Sequence, residues 1–354
     1  MDLQTEAIEL LKKLISIPSF SRQEDQTATL LYDFLNAHQV NPFRLKNNIW
    51  AKNEHFDEAK PTILLNSHHD TVKPNPGYTL DPFLPIVKEG KLYGLGSNDA
   101  GGCLVSLLST FLYFHKEKGM KYNLILAASA EEEVSGFDGL ELLYPHLGPI
   151  DFAIVGEPTQ MNIAVAEKGL MVLDCTARGK AGHAAREEGD NAIYKAIQDI
   201  EWIRNYTFPK VSSHLGPIKM SVTIINAGTQ HNVVPENCVF TIDVRLTDAY
   251  SMEEVISTIQ SNILSEVKAR SFRLKPSFID IHHPLVKIAT ELGAKPYGSP
   301  TTSDQALIPV PSVKMGPGDS ARSHIADEFI YLQEIKEGIE RYCNILEKLV
   351  LPRP

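Results

Sequence analysis

Two kinds of hydrophobic spacing run along this chain, and the change from one to the other divides it. Ile8, Leu11, Leu14 and Ile15 fall on one face of a helix predicted over Thr5–Ile17, which Ile17-Pro18-Ser19 stops. A second helix is predicted from about Glu24 to Ala37. Three short apolar runs come next: Ile63-Leu64-Leu65, Leu124–Ala128 and Phe152–Val155. Continuous runs of that length mark parallel strands buried on both faces. The helical stretch Gly101–Lys116 suits a crossover between the first two. Strands alternating with helices predict an α/β domain, a mixed and mostly parallel sheet with helices on both faces.

From about Val165 the period changes. Leu170–Ala177 reads as a strand, and Asn191–Tyr206 as a helix with Ile193, Ile197, Ile200 and Ile203 inward. Lys219–Asn226 is a strand, and Cys238–Leu246 alternates strictly, with Cys238, Phe240, Ile242, Val244 and Leu246 on one face. Ser251 and Glu254 form a capping box ahead of Val255, Ile256, Ile259 and Ile263. A last strand is predicted over Phe272–Ile281. The order β-α-β-β-α-β predicts a ferredoxin-like α+β unit inserted into the first domain. The division expected is therefore 1–165 catalytic, 166–280 lid, and 281–354 catalytic again, ending in the amphipathic helix Glu334–Leu351.

A length of 354 residues also exceeds what one core usually organises. With 43% hydrophobic and 22% charged residues the chain is neither disordered nor fibrous. A net charge of −10 argues against nucleic-acid or anionic-membrane partners. The opening Met1-Asp2-Leu3-Gln4-Thr5-Glu6 lacks the basic start of a signal peptide, and Leu104–Phe114 is too short to span a bilayer. Cys103, Cys175, Cys238 and Cys343 are scattered, which fits a reducing cytoplasm.

The residues that carry chemistry stand just past the end of each buried run. Ile63-Leu64-Leu65 leads to His68-His69-Asp70, Leu124–Ala128 to Glu131-Glu132-Glu133, and Phe152–Val155 to Gly156-Glu157-Pro158. Open α/β sheets bind ligands at the carboxyl ends of their strands. Acids gathered there repel one another unless protons or cations neutralise them. Imidazole and carboxylate without thiolate suit Zn²⁺, Co²⁺ or Mn²⁺.

As a set, these segments resemble a known family. Ser67-His68-His69-Asp70-Thr71-Val72 is similar to its HxDTV motif, and Tyr93–Gly102 to its GxGxxDxxGG. Ala130-Glu131-Glu132-Glu133-Val134 is similar to (D/E)EEVG, Val155–Thr159 to VGEPT, and Gly316-Pro317-Gly318 with Ser323-His324 to GPGxxxxxH. The chain thus resembles the dizinc aminoacylase and carboxypeptidase superfamily, in particular its acetylornithine deacetylase and succinyl-diaminopimelate desuccinylase branch. The resemblance implies two divalent metal ions, with Zn²⁺ expected and Co²⁺ a substitute. His68 and Glu157 would bind one, Glu133 and His324 the other, and Asp99 would bridge them. Asp70 would fix the His68 tautomer, and Glu132 would be the general base. Departures are Asp99-Ala100-Gly101 where D-M-K is common, and Ser135 where glycine is common.

In the insert, Gly182-His183-Ala184-Ala185 resembles a GHxA turn whose histidine reaches the partner subunit's site and stabilises an oxyanion. Asn232-Val233-Val234-Pro235 with Asp243-Val244-Arg245 resembles NxxP…DxR, and Thr302-Ser303-Asp304 a TSD loop. Arg245, Asn232 and Thr302 are the candidate substrate contacts, with Lys168 a further one on the acyl group; an Asp243–Arg245 salt bridge of purely structural kind stands beside that reading. His282-His283 reads as an interdomain loop. The resemblance implies a cytoplasmic homodimer, joined through the lid, acting on a small N-acyl amino acid. N-acetylornithine or N-acetylcitrulline deacetylation in arginine biosynthesis is the first expectation, N-succinyl substrates the second and dipeptides the third. A silent metal-binding scaffold is the non-enzymatic alternative.

Overall fold

The structure, a computed structural model, describes residues 2–352; Met1 and Arg353–Pro354, the outer ends of the two expected catalytic segments, lie outside them. The chain forms two compact units. The larger comprises the residues up to Val165, Phe278–Tyr297 and Ser303 onward, and the smaller Ala166–Ser277 with Gly298–Thr302.

In the larger unit Thr62–His68 is the central strand, buried along its whole length. It runs parallel to Asn123–Ser129 on one side and to Phe152–Val155 on the other, with His68 opposite Ser129 and Asn66 opposite Val155. Ser312–Lys314 adds a further parallel strand beside Phe152–Val155. Asn48–Lys52 joins the far side of Asn123–Ser129 antiparallel, which makes the sheet mixed. The run of unbroken apolar residues has a direct cause: each face has its own core. Ile63 and Leu65 face one hydrophobic cluster, with Leu104, Leu126 and Ile154, while Leu64 faces another, with Ile125, Ala153 and Leu140. Each of these fully buried isoleucine and leucine side chains contributes roughly 1.5–3 kcal/mol. The helices Leu3–Ile15, Gly102–Phe114 and Leu332–Val350 pack together over the first cluster. Among the described residues no helix is long and apolar enough to cross a membrane.

The smaller unit is a fully antiparallel sheet in the order Lys219–Ala227, Asn237–Leu246, Gly169–Arg178, Glu266–Ala269. Its core alternates as the sequence does, with Met171, Leu173 and Cys175 packed with Phe240, Ile242 and Val244. Two helices, Ala192–Asn205 and Met252–Asn262, cover it, the second opened by the Ser251–Glu254 capping box. The final strand differs from the expectation. It is Glu266–Ala269, not Phe272–Ile281, within which only Ser277–Phe278 is strand, and that pair joins the other sheet. Val267 and Ala269 pack against the core, whereas Phe272 is exposed and Pro276 interrupts its run. The structure also adds a buried strand, Ile163–Glu167, where the sequence pattern marks only a change of period.

Candidate active site

Because the central strands are parallel and in register, their carboxyl ends deliver His68, the Glu131–Glu133 turn and Glu157 to one edge. The turn Ser97–Gly101 brings Asp99 there, and the loop after Ser320–Arg322 brings His324. His68 is buried, with Nδ1 3.0 Å from the Asp70 carbonyl oxygen and 3.5 Å from Asp70 Oδ1. Its Nε2 lies 3.3 Å from Asp99, 3.7 Å from Glu157 and 3.8 Å from Glu132. His324 Nε2 lies 3.1 Å from Glu133 Oε2 and 3.7 Å from Asp99 Oδ2. All the expected ligands, with Glu132 and Asp70, thus gather in one place.

Asp70 does more than face an imidazole. Its Oδ1 accepts the Glu132 N–H (3.0 Å), and its Oδ2 accepts the Glu133 N–H (3.2 Å) and the Ser21 hydroxyl (2.7 Å). Glu131, whose backbone is left-handed at φ 57°, gives its N–H to the buried Glu24 carboxylate at 3.2 Å. Three successive N–H groups of the acidic turn therefore end on carboxylates. Ser135 also sits at positive φ (45°), the conformation that explains why glycine is common there. His69 is a satisfied core histidine, bonded to Thr27 Oγ1 and to the Asn47 carbonyl, each at 2.9 Å. His283 caps the helix Pro284–Glu291 rather than forming a site with His282.

Electrostatics mark the cluster as short of positive charge. Burial is the largest influence on Glu132 and, with the Glu157, Asp304 and Glu133 charges, holds its pKa well above the ordinary carboxylate range against the pull of His68. For His68 burial acts downward, but Glu132, Asp70, Asp99 and Glu157 together outweigh it and raise the pKa well above normal. For Asp99 burial acts upward, and His68, Ser323 and His324 outweigh it, so its pKa falls. The hydrogen bond to Glu133 chiefly, with the Glu133 and Asp99 charges and against burial, lifts His324 to about 9. Burial and the Asp99 charge lift Glu328 to about 8, although three backbone N–H groups oppose them.

The donor set fits divalent cations. His68 Nε2 is buried without a hydrogen-bond partner while facing three carboxylates. Two groups, His68–Asp99–Glu133 and His68–Glu132–Glu157, each bring their ligand atoms within 4.8 Å of one another. These are two candidate divalent-metal sites, built from the oxygen and imidazole donors that Zn²⁺ accepts.

Residues 64–348 match the peptidase family M20/M25/M40. The chain belongs to this family. It is a metal-dependent amidohydrolase acting on amino-acid amides. Among similar curated proteins, a succinyl-diaminopimelate desuccinylase of Wolbachia pipientis wMel is 25% identical over 387 residues, covering 98% of this chain and 96% of its own. A LysW-lysine/LysW-ornithine hydrolase of Saccharolobus islandicus is 28% identical over 360 residues, covering 98% and 97%. The solved aminopeptidase PepT of Bacillus cereus shares the fold at TM-score 0.78 and 19% identity, with 98% of both chains covered.

The remaining predicted residues lie in the smaller unit, in two places. Arg245 pairs with Asp243 (2.8 and 3.1 Å) and donates to Thr302 Oγ1 (3.2 Å), and Thr302 in turn donates to the Lys168 carbonyl (3.1 Å). Burial, with the Lys219 and Arg245 charges, lowers the Lys168 pKa, so three cations lie near one another. His183 pairs with Val233, beside Asn232, whose carbonyl accepts the Ala184 N–H at 3.0 Å. Asp304, marked in the sequence as the end of the TSD-like loop but given no role of its own, takes Ser129 Oγ (2.6 Å) and Asn66 Nδ2 (2.9 Å) behind the strand ends. Sequence reasoning missed Glu24 and Glu328, which carry no local signal.

These shifts predict how the metal-free chain responds to pH. Glu328 and His324 both have folded pKa values above their unfolded ones, so the stability they contribute is present at low pH and lost as pH rises. The windows run from 4.5 to about 8 for Glu328 and from 6.5 to about 9 for His324, the latter weakened by exposure. Burial lowers the pKa of His69, His115 and His283, which act in the opposite sense below 6.5, so metal-free protein is expected to melt at progressively lower temperature from about pH 7 to pH 9. Calorimetry in the presence of chelator checks this; a melting temperature that rises over that range contradicts it.

Proposed function

We propose that the protein hydrolyses the amide of a small N-acyl α-amino acid with a free carboxylate, N-acetylornithine first and N-acetylcitrulline as its near variant. The observation that carries this is the Glu132 carboxylate, its side chain 12% exposed, beside a cluster of His68, Asp99, Glu133, Glu157 and His324. His68 with Glu157, and Glu133 with His324, would hold the two metals, and Asp99 would bridge them. Two divalent cations supply Lewis-acid polarisation of the amide carbonyl and a lowered water pKa. Glu132 takes the proton of the attacking water and returns it to the departing amine nitrogen. Asp70 orients the His68 ring and holds the backbone of Glu132 and Glu133. His183, from the lid of a partner subunit, donates to the developing oxyanion. Arg245, supported by Thr302 and Asn232, receives the substrate carboxylate, and Lys168 faces the acyl group.

The names of the similar proteins support a diamino acid as product, since diaminopimelate, lysine and ornithine are all diamino acids. A desuccinylase is the second reading. It is favoured by the Lys168–Lys219–Arg245 group, which suits a second carboxylate, and by the name of the Wolbachia relative. The smaller sheet's strand order supports a ferredoxin-like lid. Its edge strand Lys219–Ala227, with Ile224 and Ile225 about half exposed, supports pairing with a second copy. Sedimentation showing only monomer would remove that pairing. Free cysteines, three of them buried, accord with a cytoplasmic setting.

The test is amine release by Zn²⁺- or Co²⁺-loaded protein from N-acetylornithine, N-acetylcitrulline, their N-succinyl counterparts, succinyl-diaminopimelate and simple dipeptides. Strong preference for an acetylated substrate is expected. Preference for a succinylated one selects the second reading, and silence across the panel with two metals bound rejects both.

A further inference from the structure

Glu328 belongs to none of the motifs, yet the loop that carries Asp99 is built on it. The six backbone N–H groups of Gly94–Asp99 can be traced one by one. Leu95 donates to the Pro82 carbonyl (2.8 Å) and Ser97 to the Gly94 carbonyl (3.1 Å). The other four end on Glu328: Gly94 on its carbonyl (3.0 Å), Gly96 on Oε2 (2.9 Å), and Asn98 and Asp99 on Oε1 (2.8 and 2.9 Å). Glu328 is itself 2% exposed. It is anchored by the strand Phe329–Tyr331, which pairs antiparallel with Lys91–Tyr93 immediately before the loop. Gly96 completes the wrap: at φ 73° it adopts a left-handed conformation, and a Cβ there would lie 2.5 Å from Thr71 Cγ2.

We infer that Glu328 is a positioning residue for Asp99, folding the Gly94–Asp99 loop around its carboxylate so that the bridging ligand is in place before a cation arrives. This rests on Asp99 being a metal ligand. A carboxylate of this kind, one layer behind the ligands, sets ligand orientation and hence metal affinity. Glu328→Gln puts an amide donor against either Gly96 N–H or the Asn98 and Asp99 pair, leaving a buried donor without an acceptor.

The experiment compares Co²⁺ affinity, the visible absorption of the Co²⁺-loaded protein and the melting temperature for wild type, Glu328→Gln and a matched control, Asp199→Asn. Asp199 is a buried carboxylate in the smaller unit that likewise accepts two backbone N–H groups, from Leu264 (2.9 Å) and Ser265 (2.8 Å). Glu328→Gln is expected to weaken Co²⁺ binding by about 10–100-fold and alter the absorption bands. Asp199→Asn should lower the melting temperature with the bands unchanged. Wild-type bands and affinity in Glu328→Gln overturn this inference alone, while a wild-type protein that takes up no Co²⁺ overturns the metal-site reading as well. Hydrogen exchange on the wild type needs no variant. The Gly96, Asn98 and Asp99 amides should be protected in metal-free and metal-loaded protein alike, and rapid exchange in the metal-free protein contradicts the inference.

Discussion

Glu132→Ala is expected to lower turnover by about 10²–10⁴-fold, the usual contribution of a positioned acid–base group. The reason is local. Glu132 lies within the cluster of candidate ligands, 3.8 Å from His68 Nε2, and burial with neighbouring acids makes its carboxylate more basic than a free one. Its main chain is pinned to Asp70 Oδ1, so truncating the side chain should leave the turn and the neighbouring Glu133 in place. Metal content measured on the same sample gives the prediction its force. Two metals with turnover lost identify Glu132 as the proton carrier. Because Glu132 also belongs to one of the two candidate metal groups, loss of one metal would move it into the ligand set. Turnover at the wild-type rate would remove it from the chemistry altogether.

His68→Ala should have an equally large effect by a different route. His68 is the one residue shared by both metal-binding groups, and it is the only imidazole within 4 Å of Asp99, Glu132 and Glu157 together among the described residues. Removing it deletes the imidazole of both candidate groups and leaves mutually repelling, largely enclosed carboxylates. Metal content is expected to fall below two per chain. Several kcal/mol of Lewis-acid stabilisation then go with it, on the order of a thousandfold in rate. Elemental analysis alongside amine release checks this; two retained metals with undiminished turnover would contradict it. His69→Ala is the instructive companion, because His69 is held by Thr27 and Asn47 away from the cluster. It should cost stability while the metal content stays unchanged.

The gathering of the candidate ligands can be read from the sequence because parallel topology makes a simple rule: residues directly after each buried strand arrive at the same edge. His68, the Glu131–Glu133 turn and Glu157 obey it, each at or just past the end of a strand in register with its neighbour. Their supports cannot be read that way. Glu328 meets the Gly96–Asp99 loop, and Asp304 meets Asn66 and Ser129, across more than 170 positions of sequence. Such pairings depend on which elements the fold brings together, and a single buried Glu or Asp has no periodicity to announce it. The misplaced strand of the smaller unit has a different cause. Phe272–Ile281 resembles a strand by its apolar content, but the register of Gly169–Arg178 is satisfied by Glu266–Ala269, four residues of unremarkable composition. The grouping of Arg245, Asp243 and Thr302 likewise needs the fold, since residues 298–302 leave the larger unit to join the smaller one.

The most direct test is amine release from N-acetylornithine as Zn²⁺ is titrated into chelator-stripped protein. Activity should be absent without metal, rise with added Zn²⁺ and level off at two equivalents per chain, with Glu132→Ala inactive at every point. Full turnover in the stripped protein, or two bound equivalents of Zn²⁺ with no hydrolysis of any acylated amino acid, would contradict a dimetal N-acyl amino acid hydrolase.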